Sequence, residues 1–511
     1  MSRAPISVGV VGGGHVAHAA STDPLWLFGD QLGRHIFSAA EHDDREVVLI
    51  ESSTAFRRRG GHRQKAHVLL SGMRHLADEL GDRAQLWQAE TYRDALAALG
   101  RPVVVHEPSS RAAARFVHRL SAEGLVSEIL PNPSFALSRS DFRQWAGDCE
   151  RFRMEEFYRD QRRRFEVLMD GDEPFGGTWN FDRDNREPPP RRRTLGIDDP
   201  WWPTEDDIDE QVRADLDTMD VAFTGDDGPR LFAVTHDEAQ RALTHFVGHR
   251  LATFGRWEDA IMGEDWAMSH SLLSVPLNLS LLHPLDVVGA AEDATRAGDI
   301  ELASAEGFIR QILGWREFVW HLYWHFGSDY PSSNHLDAHR SLPRWFRELD
   351  DAAVTARCLS DALARVRERG WVHHIPRLMV LGSHALQRGY DPAELTEWFR
   401  ANFVDGFDWV MPVNVIGMSQ HADGGLMATK PYTSGGAYIS RMSDLCAGCA
   451  FDPRTRVGEK ACPFTAGYWA FTHRHREMLR SNHRTARAVA SMGRLDDLDA
   501  LLEQERHRDS F

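Results

Sequence analysis

From Leu25 the chain alternates short apolar runs with amphipathic stretches of helical length: "LWLFGDQL", "EVVLIES", "AHVLLSGMRHLADEL", "QLWQA", "YRDALAAL" and "PVVVHEP". Strands separated by helices pair in parallel, because the helix carries the chain back across the sheet. The pattern predicts a doubly wound parallel α/β domain over residues 25–150, with ligands held at the carboxyl ends of its strands. Residues 151–236 read as an interdomain connection: the stretch 171–230 is polar and rich in Pro and Gly, and Trp201 and Trp202 are expected to anchor it. Beyond it, "DEAQRALTHFVGHRLATF", "EGFIRQILGWREFVWHLYW", "CLSDALARVRERG" and "HHIPRLMVLGSHALQRG" carry apolar positions at helical spacing. Residues 237–511 are predicted to form a large all-α domain. Residues 1–24 are read as a flexible extension. Gly12-x-Gly14-x-x-Ala17 is a loose dinucleotide fingerprint, but Pro24 and the first strand arrive before the helix it requires.

This architecture needs a large core, and 511 residues with 42% apolar and 26% charged content supply one. No apolar run reaches bilayer length and the first residues make a poor secretory signal, so the chain is expected to be cytoplasmic, monomeric and not membrane-inserted. A net charge of -17 argues against nonspecific coating of nucleic acid, yet five Arg against one Glu between Arg474 and Arg487 allow a local phosphate-contacting surface. The aromatic stripe Phe308, Trp315, Phe318, Trp320 and Trp324 is read first as helix packing. The neighbours His373 and His374 point in different directions on a helix and are a poor pair of ligands for one ion.

Five cysteines are too few for a disulfide scaffold. Three of them form Cys446-x2-Cys449-x12-Cys462-Pro463, within seventeen residues. A C-x2-C turn presents two thiolates to one centre, and clustered thiolates need a soft metal to offset their repulsion. Cys358 is the natural fourth ligand, and Cys149 is read as a buried spare. Four thiolates suit zinc or an iron–sulfur cluster. The Cys-Pro ending tilts the choice towards [4Fe-4S], and a purely structural staple stays open beside it.

The runs "GWVHHIPRLMVLGSHAL" and "DWVMPVNVIGMSQHADGGLMATKPYTSGGAYISRMSDLCAGC" closely resemble the iron–sulfur bacterial cryptochromes and photolyases, which include the prokaryotic (6-4) photolyases. The likeness extends from Leu25 to about Arg487. It implies a photolyase fold, with an α/β antenna domain and a helical domain holding FAD, and a [4Fe-4S] cluster on Cys358, Cys446, Cys449 and Cys462. Ser271, Leu272, Leu273 and Ser274 match the segment that holds the flavin phosphates. Glu306, Arg310, Gln311, Trp315 and Arg316 match the flavin-lining helix, and Asp405, Asp408 and Asn414 fall where the family surrounds the isoalloxazine. His374, with His373 beside it, matches the proton donor that (6-4) repair needs. Leu378, Met418, Tyr432 and Tyr438 match the lesion pocket. The implied activity is a light-driven lyase in which reduced FAD donates an electron to a flipped lesion in UV-damaged DNA. A blue-light receptor without repair is the alternative, and a light-independent DNA-binding protein with a four-cysteine metal site is a third reading. Mg2+ is a further candidate, for which Asp182, Asp184 and Asp259 are available without assignment.

Two stretches depart from the family. Phe28, Gly29, Asp30, Gln31, Glu51, His62 and Lys65 match positions near its 6,7-dimethyl-8-ribityllumazine antenna, but "AFRRRGGHRQK" has Gly61 where relatives commonly carry one of two paired histidines. Trp398 matches a tryptophan on the photoreduction path, yet Phe399 follows it where relatives have tyrosine. A second tryptophan before Cys358 is not evident unless Trp345 serves. Slower or rerouted photoreduction is the expectation.

Overall fold

The computed structural model describes residues 22–37, 44–147, 149 and 151–511. The glycine motif at Gly12–Ala17 lies outside them. Five strands form one parallel sheet in the order Ala84–Ala89, Val47–Ser52, Leu25–Leu27, Val103–His106, Val126–Leu130. The chain winds outward from Leu25–Leu27 to one edge and then returns to build the other, so the order reverses between Leu25–Leu27 and Val103–His106. That reversal opens a crevice at the carboxyl ends of these two strands. The three central strands are buried on both faces, which is why they open on continuous apolar runs (LWL, VVLI and VVV) rather than on an alternation.

The connection is structured. It carries the helices Met154–Arg164 and Asp207–Thr218, the second closed at its start by a reciprocal capping box between Asp206 and Asp209. The remainder is helical, and no helix among the described residues is long and apolar enough to cross a membrane.

Sheet and helices share one core: the largest apolar cluster joins Leu25, Leu27, Val47 and Leu49 to Leu273, Leu277, Ile309 and Leu313. The approach is closest after the first strand. Leu32 N donates to Leu279 O at 3.0 Å, Ser280 Oγ donates to Asp30 O at 2.7 Å, and a Cβ on Gly33 would lie 1.7 Å from Ser280 O. Only glycine allows that contact. It seats the segment 268–282 against the sheet, and this segment forms one wall of the cavity described below.

Candidate functional site

The helical domain encloses a cavity of about 900 Å³. Three π-helical turns, Arg310–Arg316, Pro376–Gly382 and Val413–Ser419, interrupt its wall helices, and each turns side chains into the space: Gln311, Trp315 and Arg316; Arg377 and Leu378; Asn414 and Met418. Such insertions rotate the helix face locally, which is why they collect at functional sites. On the 268–282 wall, Met268 and Leu272 are held at φ 48° and 58°, in the left-handed region that costs a leucine energy. Ser271, Leu272 and Ser274 line the cavity.

One ion pair ties three wall segments together. Arg377 donates to both oxygens of Asp405 (2.8 and 3.0 Å) and to Val372 O (2.6 Å). Ser274 Oγ donates to Asp405 Oδ2 at 2.7 Å and Asn278 Nδ2 to Asp405 O at 3.2 Å. Arg316, whose guanidinium burial lowers to about 10, donates to Ser134 O and Leu277 O and lies over the rings of Phe135 and Trp409.

The two adjacent histidines divide the work. His374 is exposed, and the space it is exposed to is the cavity. Desolvation within that pocket, with the charges of Arg377 and Arg186, holds its imidazole down to about 4. His373 is buried behind it, stacked on His270 with ring centroids 4.4 Å apart, and neither of its nitrogens has a protein partner. Burial pushes it well below the ordinary histidine range. Leu378, Met418, Tyr432 and Tyr438 line the same cavity, and burial raises both tyrosine hydroxyls.

Not every expected residue reaches this space. Leu273 packs into the core instead. Glu306 is fully buried and accepts from Phe181 N, while Arg310 pairs with Asp182, so the two fasten the connection rather than line the cavity. Asp408 turns the other way, to Arg59 of the sheet domain and to Arg400 of the helix Pro392–Asn402. Two of the three carboxylates considered for Mg2+ have partners: Asp182 and Asp259 both face Arg186, and burial raises the adjoining Glu258 to about 7. Of the aromatic stripe, Phe308 and Trp315 line the cavity, whereas Phe318 and Trp320 are core. Sequence reasoning missed Arg377, Trp371 and Asn278. Arg377 was within reach, since it lies one helical turn after His374.

At the sheet's crevice, Phe28 packs against Tyr92, and Gln31 accepts from Phe28 N and donates to Glu107 O. Asp30 lies beside Ser109, and burial raises its carboxyl. Lys65 donates to Arg400 O and Gly406 O, and burial beside Arg400 lowers its amine to about 7. Two expected antenna residues are committed to the scaffold: Glu51 is locked to Arg74 at 2.8 Å, and His62 caps its own helix through Gln64 N and reaches Arg367 O.

Cys358, Cys446, Cys449 and Cys462 line one small cavity with Phe451, Pro453 and Phe464. Cys149 is exposed and far from being the buried spare expected of it. Burial and the neighbouring thiols push Cys358 well up and Cys446 to about 11, so as free thiols they would stay protonated. Among the described residues, His75, Asp206 and Asp209 place three ligand atoms within 4.8 Å of one another, and no three of these sulfurs do. Zn–S bonds of about 2.3 Å would hold tetrahedral sulfurs roughly 3.8 Å apart. No three of the four sulfurs come as close together as that.

Comparison with known proteins agrees with this geometry. The family described as deoxyribodipyrimidine photo-lyase-related protein matches residues 25–231. A (6-4) photolyase of Agrobacterium fabrum is 38% identical over 491 residues, covering 92% of this chain and 95% of the relative. The fold is shared with a bacterial class III photolyase from Agrobacterium tumefaciens (TM-score 0.57, 17% identity, 94% of this chain and 100% of that one). It is shared also with a Synechocystis cryptochrome (TM-score 0.53, 13% identity, 84% and 89%). With that identity sustained along nearly its whole length, the chain belongs to the photolyase-related family that includes the (6-4) photolyases.

Proposed function

We propose that the chain is a light-driven DNA repair lyase acting on (6-4) photoproducts, with FAD in the large cavity and a [4Fe-4S] cluster on the four cysteines. The observation that carries the reading is His374, presented on the cavity wall among Leu378, Met418, Tyr432 and Tyr438.

The walls fit a flavin dinucleotide. About 900 Å³ is ample for a large cofactor, and buried polar atoms of Arg316, Trp371 and His373 on the lining have no protein partner. Ser271, Leu272 and Ser274 would hold its phosphates, and Gln311, Trp315 and Asn414 its rings. A reduced flavin, when bound, supplies a photoexcited electron and takes it back. The spread of the sulfurs favours an iron–sulfur cluster over one zinc ion. The lumazine antenna is assigned to the crevice at Phe28, Asp30 and Lys65.

The chain's own contribution is orientation and a proton. His374 is neutral at pH 7 in the free protein because the pocket desolvates it and, secondarily, because Arg377 and Arg186 face it. An anionic ligand in the cavity offsets the share of Arg377 and Arg186 and so favours proton uptake by the imidazole, against the desolvation that the filled site keeps. DNA reaches the site over the basic helices that follow the cysteines. Arg484 and Asn482 bond Thr429, which immediately precedes Lys430 and Tyr432 on the cavity wall.

The test is repair by purified protein under blue light, on oligonucleotides carrying a (6-4) product or a cyclobutane dimer. The (6-4) product should be reverted, with His374→Ala slower by on the order of a hundredfold or more. Repair of neither lesion would overturn the proposal, and flavin photochemistry persisting without repair would assign the protein to photoreception.

A further inference from the structure

A second cavity, of about 650 Å³, lies beside the first. Gln387 lines it, and its Nε2 reaches Thr433 and Ser434 on the wall of the large cavity. The loop ending at Arg340, the ends of the helices Ser383–Arg388 and Pro463–Arg474, and the helix Leu498–His507 enclose it. Nothing in the proposed repair reaction uses this space.

Four arginines line it: Arg506, which pairs with Glu503, and Arg340, Arg388 and Arg474. Arg388 is 4% exposed, pairs with Glu505 and donates to Pro463 O, and its Nε has no partner. Arg340 and Arg474 have no carboxylate partner among the described residues. Each gives one N–H to a helix-end carbonyl, Arg340 to Arg388 O and Arg474 to Gln387 O. Arg474 is exposed into the cavity, and its charge is opposed by burial and by the charges of Arg388 and Arg340. Helix-end carbonyls account for one donor on each arginine. Of the two carboxylates that line the cavity, Glu505 pairs with Arg388 and Asp337 with His339, so neither accounts for Arg340 and Arg474 held beside Arg388 in a confined space, where like charges repel more strongly than in water.

A multi-oxygen anion does account for them. Planar guanidinium forks match the oxygens of a phosphoryl group, and arginine is the residue suited to that recognition. A cavity of this volume exceeds what inorganic phosphate fills and falls within the range of small-molecule sites. We propose that the second cavity binds a phosphorylated small molecule of mononucleotide size, its phosphoryl group held by Arg340, Arg388 and Arg474.

Calorimetric titration of the purified full-length protein tests this, with thymidine monophosphate as the probe. Thymidine serves as the phosphate-free control, and an undamaged DNA duplex as the other source of phosphate. One saturable site for the monophosphate and none for thymidine are expected. Arg474→Gln and Arg340→Gln should each weaken binding roughly tenfold or more, and Arg474→Lys should recover only part, because lysine keeps the charge and loses the fork. Arg340 is exposed and makes no ion pair, so Arg340→Gln reports on the site without endangering the fold, and near-UV circular dichroism verifies each variant. Absence of saturable monophosphate binding, or affinity unchanged in both variants, would overturn the assignment. So would duplex binding that weakens in the variants while the monophosphate does not bind, since the arginines would then serve the DNA backbone.

Discussion

The pair Arg377–Asp405 offers a sharp test of how the large cavity is held together. Its side chains are only 16% and 7% exposed, so solvent screens it little, and Asp405 also receives Ser274 from the 268–282 wall. Asp405→Ala would leave the Arg377 cation with a single protein acceptor, Val372 O, and would orphan the Ser274 hydroxyl. Arg377→Met would leave a buried carboxylate with Ser274 as its remaining side-chain partner. Breaking one side of a buried pair costs about 3–5 kcal/mol, whereas removing both charges together costs much less than the sum. The double variant should therefore reveal a coupling of about 2 kcal/mol or more. Urea denaturation followed by tryptophan fluorescence measures all three. Flavin retention gives a second readout, since Arg377, Ser274 and Asp405 all line the cavity. Losses below about 1 kcal/mol for the single variants, the scale of an exposed pair, would refute the reasoning, and so would strict additivity.

Cys358→Ser or Cys462→Ser should abolish iron content and the visible absorption of a cluster; metal analysis showing one zinc and no iron in the wild type would refute the cluster. The pH dependence of stability follows from buried neutral histidines. His384 is fully buried with no partner on either nitrogen, and burial beside Arg388 and Arg340 pushes it well below the ordinary value. A folded pKa below the unfolded one means that stability is complete above about pH 6.5 and is lost as the pH falls through that value. One such group removes up to about 2 kcal/mol between pH 7 and pH 5. His384→Leu should flatten the stability profile by that amount, and an unchanged slope would show that this histidine does not contribute. Gly61→His, which restores the residue common in relatives, should destabilise the protein and leave pigment binding unimproved. Gly61 has φ 106° and its Cβ would meet Ala401 O at 2.6 Å, strain worth about 1–3 kcal/mol by thermal or urea unfolding.

The Gly61 position also shows what the sequence conceals. As a string, "RRRGGHRQK" looks like a pigment site with one ligand missing. In space, the glycine is required because the helix Pro392–Asn402 crosses it at backbone distance, and His62 is spent on a helix cap and on Arg367 O. The parallel sheet was legible because each strand is a local apolar run between helices. The cysteine set was legible because residue chemistry narrows the choice to four thiols. Most cavity residues were legible through long family motifs, but which face of a helix they occupy was not. Asp405 and Asp408 are three apart on a loop, not on a helix, so one joins Arg377 at the cavity and the other joins Arg59 across the domain boundary. Glu306 sits on the wall helix just before its first π turn and Arg310 is the first residue of that turn, and both face the connection, while Gln311 and Trp315, further into the turn, face the cavity.

The same limit governed the aromatic path. Spacing before Cys358 gave no clear second tryptophan, yet the fold sets Trp345 5.5 Å from Phe346 and Phe346 4.6 Å from Trp398, with the Trp398 indole donating to Phe346 O. On the other side, Trp398 meets Phe403 at 5.9 Å, and Phe403 lies beneath the Arg377 guanidinium on the cavity wall. A row of rings therefore runs from the partly buried Trp345 to the cavity, and phenylalanines occupy its links. Phenylalanine is far harder to oxidise than tryptophan, so under the proposed function a charge on this row would cross these links by tunnelling between the tryptophans rather than by resting on the intervening rings. Cys358 and Cys462 belong to the same apolar cluster as Trp345, Phe346 and Trp398. These cysteines and the aromatic row are thus parts of one packed body, and whatever fixes the first fixes the spacing of the second.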